Sequence, residues 1–380
     1  MMMVIINFVE ADKFVITDHP FFLALLRMVV LEWRHHQYIN KGEMNMKAVQ
    51  IKKYSKKIET EVVEIPIPEI GDYEVLVKVK VAAVNHLEIL NITGSVKLIQ
   101  DYDMPLTIGN ELTGVISEVG KLVSGFKKGD TVYTRLPLDK IGAFAEYVAV
   151  DAKAIWHLPK NLDFVTGAAA PLTGLTAYQG LHEELNAKAG QTVFIPGGSG
   201  SFGQMAVPIA KAMGLNVIVS GNPSAREQIL AAGATRYIDY TKENYWEILK
   251  GVDFVIDTLG AAEFDRELSI IKPGGRLLSL RTGPNKQFAK DHGFPKWKQL
   301  LFALAGAKFD KKAKKHGIEY RFIFVRSEGS QLQEISKIIE ENNIIPAVDP
   351  TEFTLDQVNE ALRLVASGHP KGKVVIKVSE

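Results

Sequence analysis

The chain has 380 residues, enough for two domains with sizeable cores, and a formal net charge of +1 that gives no sign of bulk electrostatic attraction to nucleic acid or anionic membrane. With 46% hydrophobic and 23% charged residues it matches ordinary soluble globular proteins. It has no cysteine, which rules out disulfides, thiolate zinc sites, iron–sulfur clusters and cysteine nucleophiles, and which fits a cytoplasmic protein.

Residues 1–45 stand apart. Their apolar run, Phe21 to Trp33, is interrupted by Arg27 and is shorter than the roughly 20 residues a spanning helix needs. The basic stretch before it and the small-residue cleavage site after it that a secretory signal requires do not appear, Lys13 standing among Glu10, Asp12 and Asp18. The segment reads as an amphipathic or poorly ordered extension, or as sequence upstream of a start at Met44 or Met46. From Lys47 to about Asn161 short strands alternate with Gly and Pro turns, including the alternating run EVLVKVKVAAV at 74–84. This spacing predicts a β-rich barrel or sandwich domain.

Near Asp163 the pattern changes. A helical segment broken at Pro171 precedes four βα-like units, with strands at 192–195, 216–220, 236–239 and 252–257. The turn KPGG and a strand at 276–280 follow. Such alternation predicts a parallel sheet with helices on both faces. Pro208 is expected to kink or shorten the helix that contains it. Residues 284–316 look like an insertion, with nine Lys against two Asp, a basic flap over a cofactor or a solvated helical face. The ending returns to strands at 319–325 and 372–378 around helices at 331–342 and 355–367.

The most informative stretch is TVFIP-GGSGSFG-QMAVPIAKAMGL-NVIVS, from Thr192 to Ser220. Gly198, Gly200 and Gly203 form G-x-G-x-x-G between a β-branched strand and a helix. In a dinucleotide site the first Gly turns the chain and the second admits the pyrophosphate. The third lets helix and strand pack closely, with Ser199, Ser201 and Phe202 completing the loop over the helix amides. An NAD-type site places an acid about 20 residues past the first Gly, to bind the ribose hydroxyls. Here the strand ends Ser220-Gly221-Asn222, with Arg226 before the first acid, Glu227. A guanidinium and small polar groups would hold a 2′-phosphate, which a carboxylate would repel, so the pattern points to NADP. Arg226 as a solvated charge opening the next helix is the plainer alternative.

Taken together, the stretches MKAVQ (46–50), VKVKVAAVN (77–85), LTIGNELTGVISEVG (106–120), FKKGDTVY (126–133), GAFAEYVAV (142–150), AAAPLTGLTAYQGL (168–181), the glycine loop and HPKGKVVIKV (369–378) resemble the medium-chain dehydrogenase/reductase superfamily. The resemblance is to its zinc-independent NADPH:quinone oxidoreductase branch. It implies an α/β chain: a GroES-like β-rich catalytic domain (46–165 and 317–380) and a Rossmann domain with a doubly wound parallel sheet (166–316, with the inserted segment 284–316), with the active site in the cleft between them.

Metal-dependent members of that superfamily hold zinc on two Cys and a His. The first Cys falls around Asn85–His86, the His where this chain has Asn110, and the second Cys near Leu172. His86 and Glu111 alone cannot complete a tetrahedral site, so no metal is expected. The resemblance further implies catalytic roles for Asn85 at the cleft floor and for Thr176 beside the nicotinamide carboxamide. Each has a plainer alternative, a turn residue for Asn85 and a hydroxyl bonded to its own helix for Thr176. Ser220 and Arg226 would meet the 2′-phosphate and Tyr240 the adenosine. Leu259, Gly260 and Leu280 would line the nicotinamide side, while Phe322, Phe324 and Lys373 approach from the C-terminal segment. The expected activity is NADPH-dependent hydride transfer to a quinone. Reduction of the C=C bond of an α,β-unsaturated aldehyde or ketone is the second reading, and a non-enzymatic NADPH-binding sensor or partner-binding protein the third. A homodimer is expected, joined through Rossmann sheet edges.

Overall fold

The computed structural model describes residues 45–379. The extension expected at 1–45, with its Phe21–Trp33 run, lies outside the described residues except for Asn45. The N-terminal half is built from β1 (Asn45–Ile51), β2 (Glu61–Pro66), β3 (Glu74–Val84), β4 (Leu106–Thr107), β5 (Glu111–Val119), β6 (Thr131–Arg135), β7 (Tyr147–Asp151) and β8 (Trp156–His157). A three-stranded sheet has the order β2-β1-β4. The expected half-buried strand at 74–84 is more central than alternation suggests. It pairs antiparallel with β5 on one side, and with β7 and a C-terminal strand at its two ends on the other. Its last four residues, Val81 to Val84, are therefore all buried.

The nucleotide-type domain contains β9 (Thr192–Ile195), β10 (Asn216–Gly221), β11 (Arg236–Asp239), β12 (Val252–Asp257), β13 (Ile271–Ser279) and β14 (Glu319–Phe322). All neighbours are parallel, in the order β11-β10-β9-β12-β13-β14. That is the doubly wound order, with the switch point between β9 and β12, where such sheets open a crevice at their carboxyl ends. The helix Ser201–Ala212 runs without interruption through Pro208. Finally β15 (Phe353–Thr354) and β16 (Val374–Lys377) return to the first domain, β16 pairing antiparallel with β3 to complete a seven-stranded sheet.

Two expected boundaries move. Residues 319–322 were assigned to the returning β segment, yet β14 pairs parallel with β13 across Arg276–Glu319 to Ser279–Phe322. The supposed insertion at 284–316 is consequently the crossover that a parallel pair requires, since the chain must travel back the length of the sheet. It supplies helices Lys286–Asp291 and Lys296–Lys315. The latter is seated by Phe309 against Phe264 and Tyr320. The second domain thus extends past 317. The helix Gly329–Glu341 then joins the two domains: the fully buried Tyr133 of β6 donates its hydroxyl to the Leu332 carbonyl at 2.8 Å and lies 2.8 Å from Ser336 Oγ.

Candidate active site

The glycine loop closes tightly on its own backbone. A Cβ on Gly203 would stand 1.8 Å from the Gly198 carbonyl oxygen, so only glycine lets the helix start against the strand. A Cβ on Gly221, at the end of β10, would meet Tyr237 Oη at 2.5 Å and Ser199 Cβ at 2.6 Å. Gly200, by contrast, faces open space, the nearest atom to its imagined Cβ being Gly197 O at 4.0 Å. It caps the helix Ser201–Ala212, twelve residues long, without any side-chain bond to the first amides. A cradle left open at the second glycine, in front of uncapped helix amides, fits a dinucleotide pyrophosphate.

Around the cradle the expected residues are placed as follows. Ser220 is buried and its carbonyl accepts Gly198 N–H at 3.1 Å, which anchors the loop. Ser199 Oγ accepts Asn222 N–H at 3.3 Å. Arg226 sends one guanidinium nitrogen to the Tyr237 carbonyl at 3.2 Å, so it is tethered at the rim rather than freely solvated. Tyr240 is exposed next to Asp239, whose carboxylate is occupied by the Thr241 amide and hydroxyl. Leu259 closes over the loop, 2.8 Å from the place a Gly197 Cβ would take. Gly260, at φ +93, turns the chain so that its amide reaches Asp257 at 2.6 Å.

A cavity of about 480 Å³ lies at this end of the sheet. Asn85, Thr176, Phe202, Leu280, Phe322 and Phe324 all face it, along with His86, Leu172 and Arg281. Its wall is mostly apolar. Thr176 lines the cavity, and its hydroxyl donates to the Leu172 carbonyl one helical turn back at 2.6 Å, the plainer of its two readings. Asn85 likewise starts the helix His86–Thr93 while donating from Nδ2 to Glu111 Oε1 at 2.9 Å.

Lys373 departs from expectation. Its ammonium does not face the cleft but is buried, 2.6 Å from Glu111 Oε1 and hydrogen-bonded to Asn85 Oδ1. Both side chains of the ion pair are sealed, at 3% and 0% exposure. The reason is Glu111, a wholly buried carboxylate whose other oxygen accepts Leu172 N–H at 2.6 Å and which needs a cation. The positions that carry zinc ligands in metal-dependent relatives, at Asn85, Asn110 and Leu172, do converge here. What they hold is amide donors and a carboxylate already neutralised by an ammonium, a set that does not fit zinc.

Beneath them Glu88 is fully buried, accepting Asn85 N–H and, on its other oxygen, both the backbone and side-chain N–H of Asn110 at 3.1 and 2.7 Å. Burial pushes its pKa up to about 7, opposed by the Asn110 and Asn85 bonds and aided by Glu111. Burial holds the equally hidden Arg135 down at about 10. Raising pH from 5 to 7 ionises Glu88 in the folded protein after it has already ionised in the unfolded chain. The stabilisation that Glu88 supplies when protonated is thus full below its ordinary range and lost as pH climbs to 7, at most about 3 kcal/mol. Glu88→Gln is expected to be less stable than the parent at pH 5, with the gap closing by pH 8 in paired thermal melts. A gap that stays constant contradicts the assignment.

Sequence reading passed over Arg281 and set His86 aside as a local packing residue. Arg281 follows Leu280 at the carboxyl end of β13, where sheets of this type bind ligands, and that position was a usable signal. Burial, then Arg281, lowers the His86 pKa, so its imidazole is neutral at pH 7.

Comparison with known proteins agrees with this geometry. Residues 71–160 match the alcohol dehydrogenase GroES-like domain, and residues 232–376 match a family described as zinc-binding dehydrogenase. The NADPH-dependent alkenal/one oxidoreductase of Arabidopsis thaliana is 30% identical over 84% of this chain and 75% of its own. The quinone oxidoreductase of Homo sapiens is 31% identical, covering 66% of this chain and 79% of that one. Among solved structures, the quinone oxidoreductase from Coxiella burnetii superposes with a TM-score of 0.74 at 25% identity, over 88% of this chain and 100% of that one. The chain belongs to the zinc-independent quinone oxidoreductase branch of the medium-chain dehydrogenase/reductase superfamily. This branch member is an NAD(P)H-dependent oxidoreductase with a GroES-like domain and a Rossmann domain. Among the described residues no helix is long and apolar enough to cross a membrane.

Proposed function

We propose that the protein transfers a hydride from NADPH to a quinone without a metal. The observation carrying this reading is the apolar cavity, which opens beside the glycine cradle and has a closed ion pair where related enzymes hold zinc. Bound NADPH supplies the hydride. The chain supplies position: Gly198 to Gly203 hold the pyrophosphate, and Leu259, Gly260 and Leu280 border the nicotinamide. Phe322 and Phe324 make the wall beside the reacting face apolar. Asn85, fixed by Glu111 and Lys373, and Thr176, fixed by Leu172, are the polar residues that would border acceptor and carboxamide, their own side-chain bonds being made to those partners. A quinone suits such a site because the anion formed on reduction is delocalised and needs few donors. The proton then comes from water entering the cleft, since the Thr176 proton is engaged.

NADPH rather than NADH is supported by the acid-free end of β10 and by Arg226 at its rim. Arg226→Gln is expected to raise KM for NADPH about tenfold, the worth of one charge-assisted bond, and to leave KM for NADH nearly unchanged. Equal effects on both cofactors would remove Arg226 from the 2′-phosphate. Steady-state oxidation of NADPH with 1,4-benzoquinone, 9,10-phenanthrenequinone and a 2-alkenal tests the acceptor. Quinone turnover above alkenal turnover supports this reading. The reverse order selects C=C reduction, the second reading, which the alkenal/one oxidoreductase relative favours. Tight NADPH binding with no turnover sinks both.

The open edge of β14 supports a homodimer formed through that strand. The cysteine-free composition supports a cytoplasmic setting.

A further inference from the structure

The crossover helix Lys296–Lys315 has one face packed on the sheet domain, through Phe302, Gly306 and Ala313. Its opposite face is unusual. Trp297, Leu300, Leu301 and Leu304 stand 57%, 62%, 43% and 67% exposed. Their spacing of three and four residues puts all of them on one stripe over the first two turns. Four of the twelve large apolar side chains exposed among the described residues are thus gathered on a single surface element. Beyond Leu304 the same stripe continues as Lys308, Lys311 and Lys315, at spacings of four, three and four.

Charge is concentrated here too. Residues 284–316 carry nine Lys and two Asp in a chain whose net charge is +1. Both Asp are engaged elsewhere: Asp310 accepts the Asn285 side-chain N–H at 2.7 Å, and the exposed Asp291 pairs with Arg321. Lys312 is spoken for by Asp265. Among the described residues no carboxylate reaches ion-pair distance of Lys296, Lys308, Lys311 or Lys315. Lys298 lies over the Trp297 and Phe294 rings, 5.6 and 5.3 Å from their centroids.

We propose that this face docks the protein on an anionic lipid surface, lying along the interface with Trp297 and the leucines entering the headgroup layer and the lysines meeting lipid phosphates. A Trp- and Leu-bearing stripe that runs into lysines, too polar overall to span, is the pattern of interfacial helices. The same charge argues against a second copy of the chain as the occupant, because a two-fold contact would set these lysines against one another. The helix is also fastened to the acceptor cleft. Phe302 on its buried face touches Phe288, and Phe288 touches the cavity residue Phe322, at ring distances of 6.1 and 5.2 Å. Docking would hold the cleft beside the lipid phase, although lipid binding itself needs no turnover and stands apart from the hydride-transfer reading.

The test is co-sedimentation of the full chain with phosphatidylcholine vesicles containing about one third phosphatidylglycerol, and with phosphatidylcholine alone. The bound fraction is expected to be at least roughly fivefold higher on the anionic vesicles and to fall as salt is raised. Both Leu300→Glu/Leu304→Glu and Lys308→Gln/Lys311→Gln/Lys315→Gln should lose that binding. Their melting temperature and NADPH oxidation should stay at parental values, since these side chains are exposed and lie outside the cavity. Full-chain binding that survives in both variants would place the lipid contact elsewhere, in residues 1–44 for instance, and overturn the proposal. So would equal binding to neutral vesicles, or no binding at all. Light scattering closes the remaining case: a dimer that the Leu300→Glu/Leu304→Glu pair dissociates would assign the face to self-association instead.

Discussion

Lys373→Met is expected to destabilise the protein by about 3–5 kcal/mol, read as a fall in the denaturant midpoint at unchanged slope. Glu111 is wholly buried, and with Lys373 gone its carboxylate keeps only the Leu172 and Asn85 N–H donors. Two neutral donors do not replace an ammonium at 2.6 Å in a dry interior. The same change frees Asn85 Oδ1, so KM for the acceptor should rise as the amide loses its fixed orientation. Glu111→Gln strands the ammonium instead and is expected to cost a similar amount. The double variant Glu111→Gln/Lys373→Met retains an acceptor for Leu172 N–H without either charge, and should recover much of the loss. If the two single effects simply add within about 0.5 kcal/mol, the groups are not coupled and the pair does not organise the site.

Gly203→Ala is expected to lower stability by at least about 1–3 kcal/mol and to weaken NADPH binding more than tenfold. The methyl group would fall 1.8 Å from the Gly198 carbonyl, and both contacting groups are backbone, so no side chain can rotate away. The start of the Ser201–Ala212 helix must lift off β9, which spreads the cradle. Gly200→Ala separates the two consequences. Its methyl has nothing nearer than 4.0 Å, so the melting temperature should hardly change while NADPH affinity falls, because the methyl occupies the space left for phosphate. Parallel thermal melts and NADPH fluorescence titrations decide between these outcomes. Unchanged affinity in Gly200→Ala would remove the loop from cofactor binding.

The nucleotide domain was legible because its signals are local. Strand, glycine turn, helix and strand follow one another within Thr192–Ser220, and Gly198 and Gly203 each answer to a contact inside that stretch. The β-rich domain was legible as a class through its alternation and turns. The boundary at 317 was misplaced for a physical reason: a short aromatic run such as 319–322 has the same composition whether it joins a parallel or an antiparallel sheet. Only pairing with β13 distinguishes them. Once β14 is in that sheet, the basic segment before it has to be a crossover, and its apolar stripe becomes a surface.

Composition and local order along the chain set the chemistry allowed: a dinucleotide loop, an acid-free strand end, and the loss of every thiolate that zinc would need. Those are statements about which groups exist and about neighbours a few bonds apart. The tertiary structure decided what the remaining polar residues do. Lys373 and Asn85, 288 residues apart, meet only because β16 pairs back onto β3, and that meeting turns an expected cofactor contact into the partner of Glu111. A buried charge selects its counter-ion through space, and no periodicity or spacing along the chain records the selection.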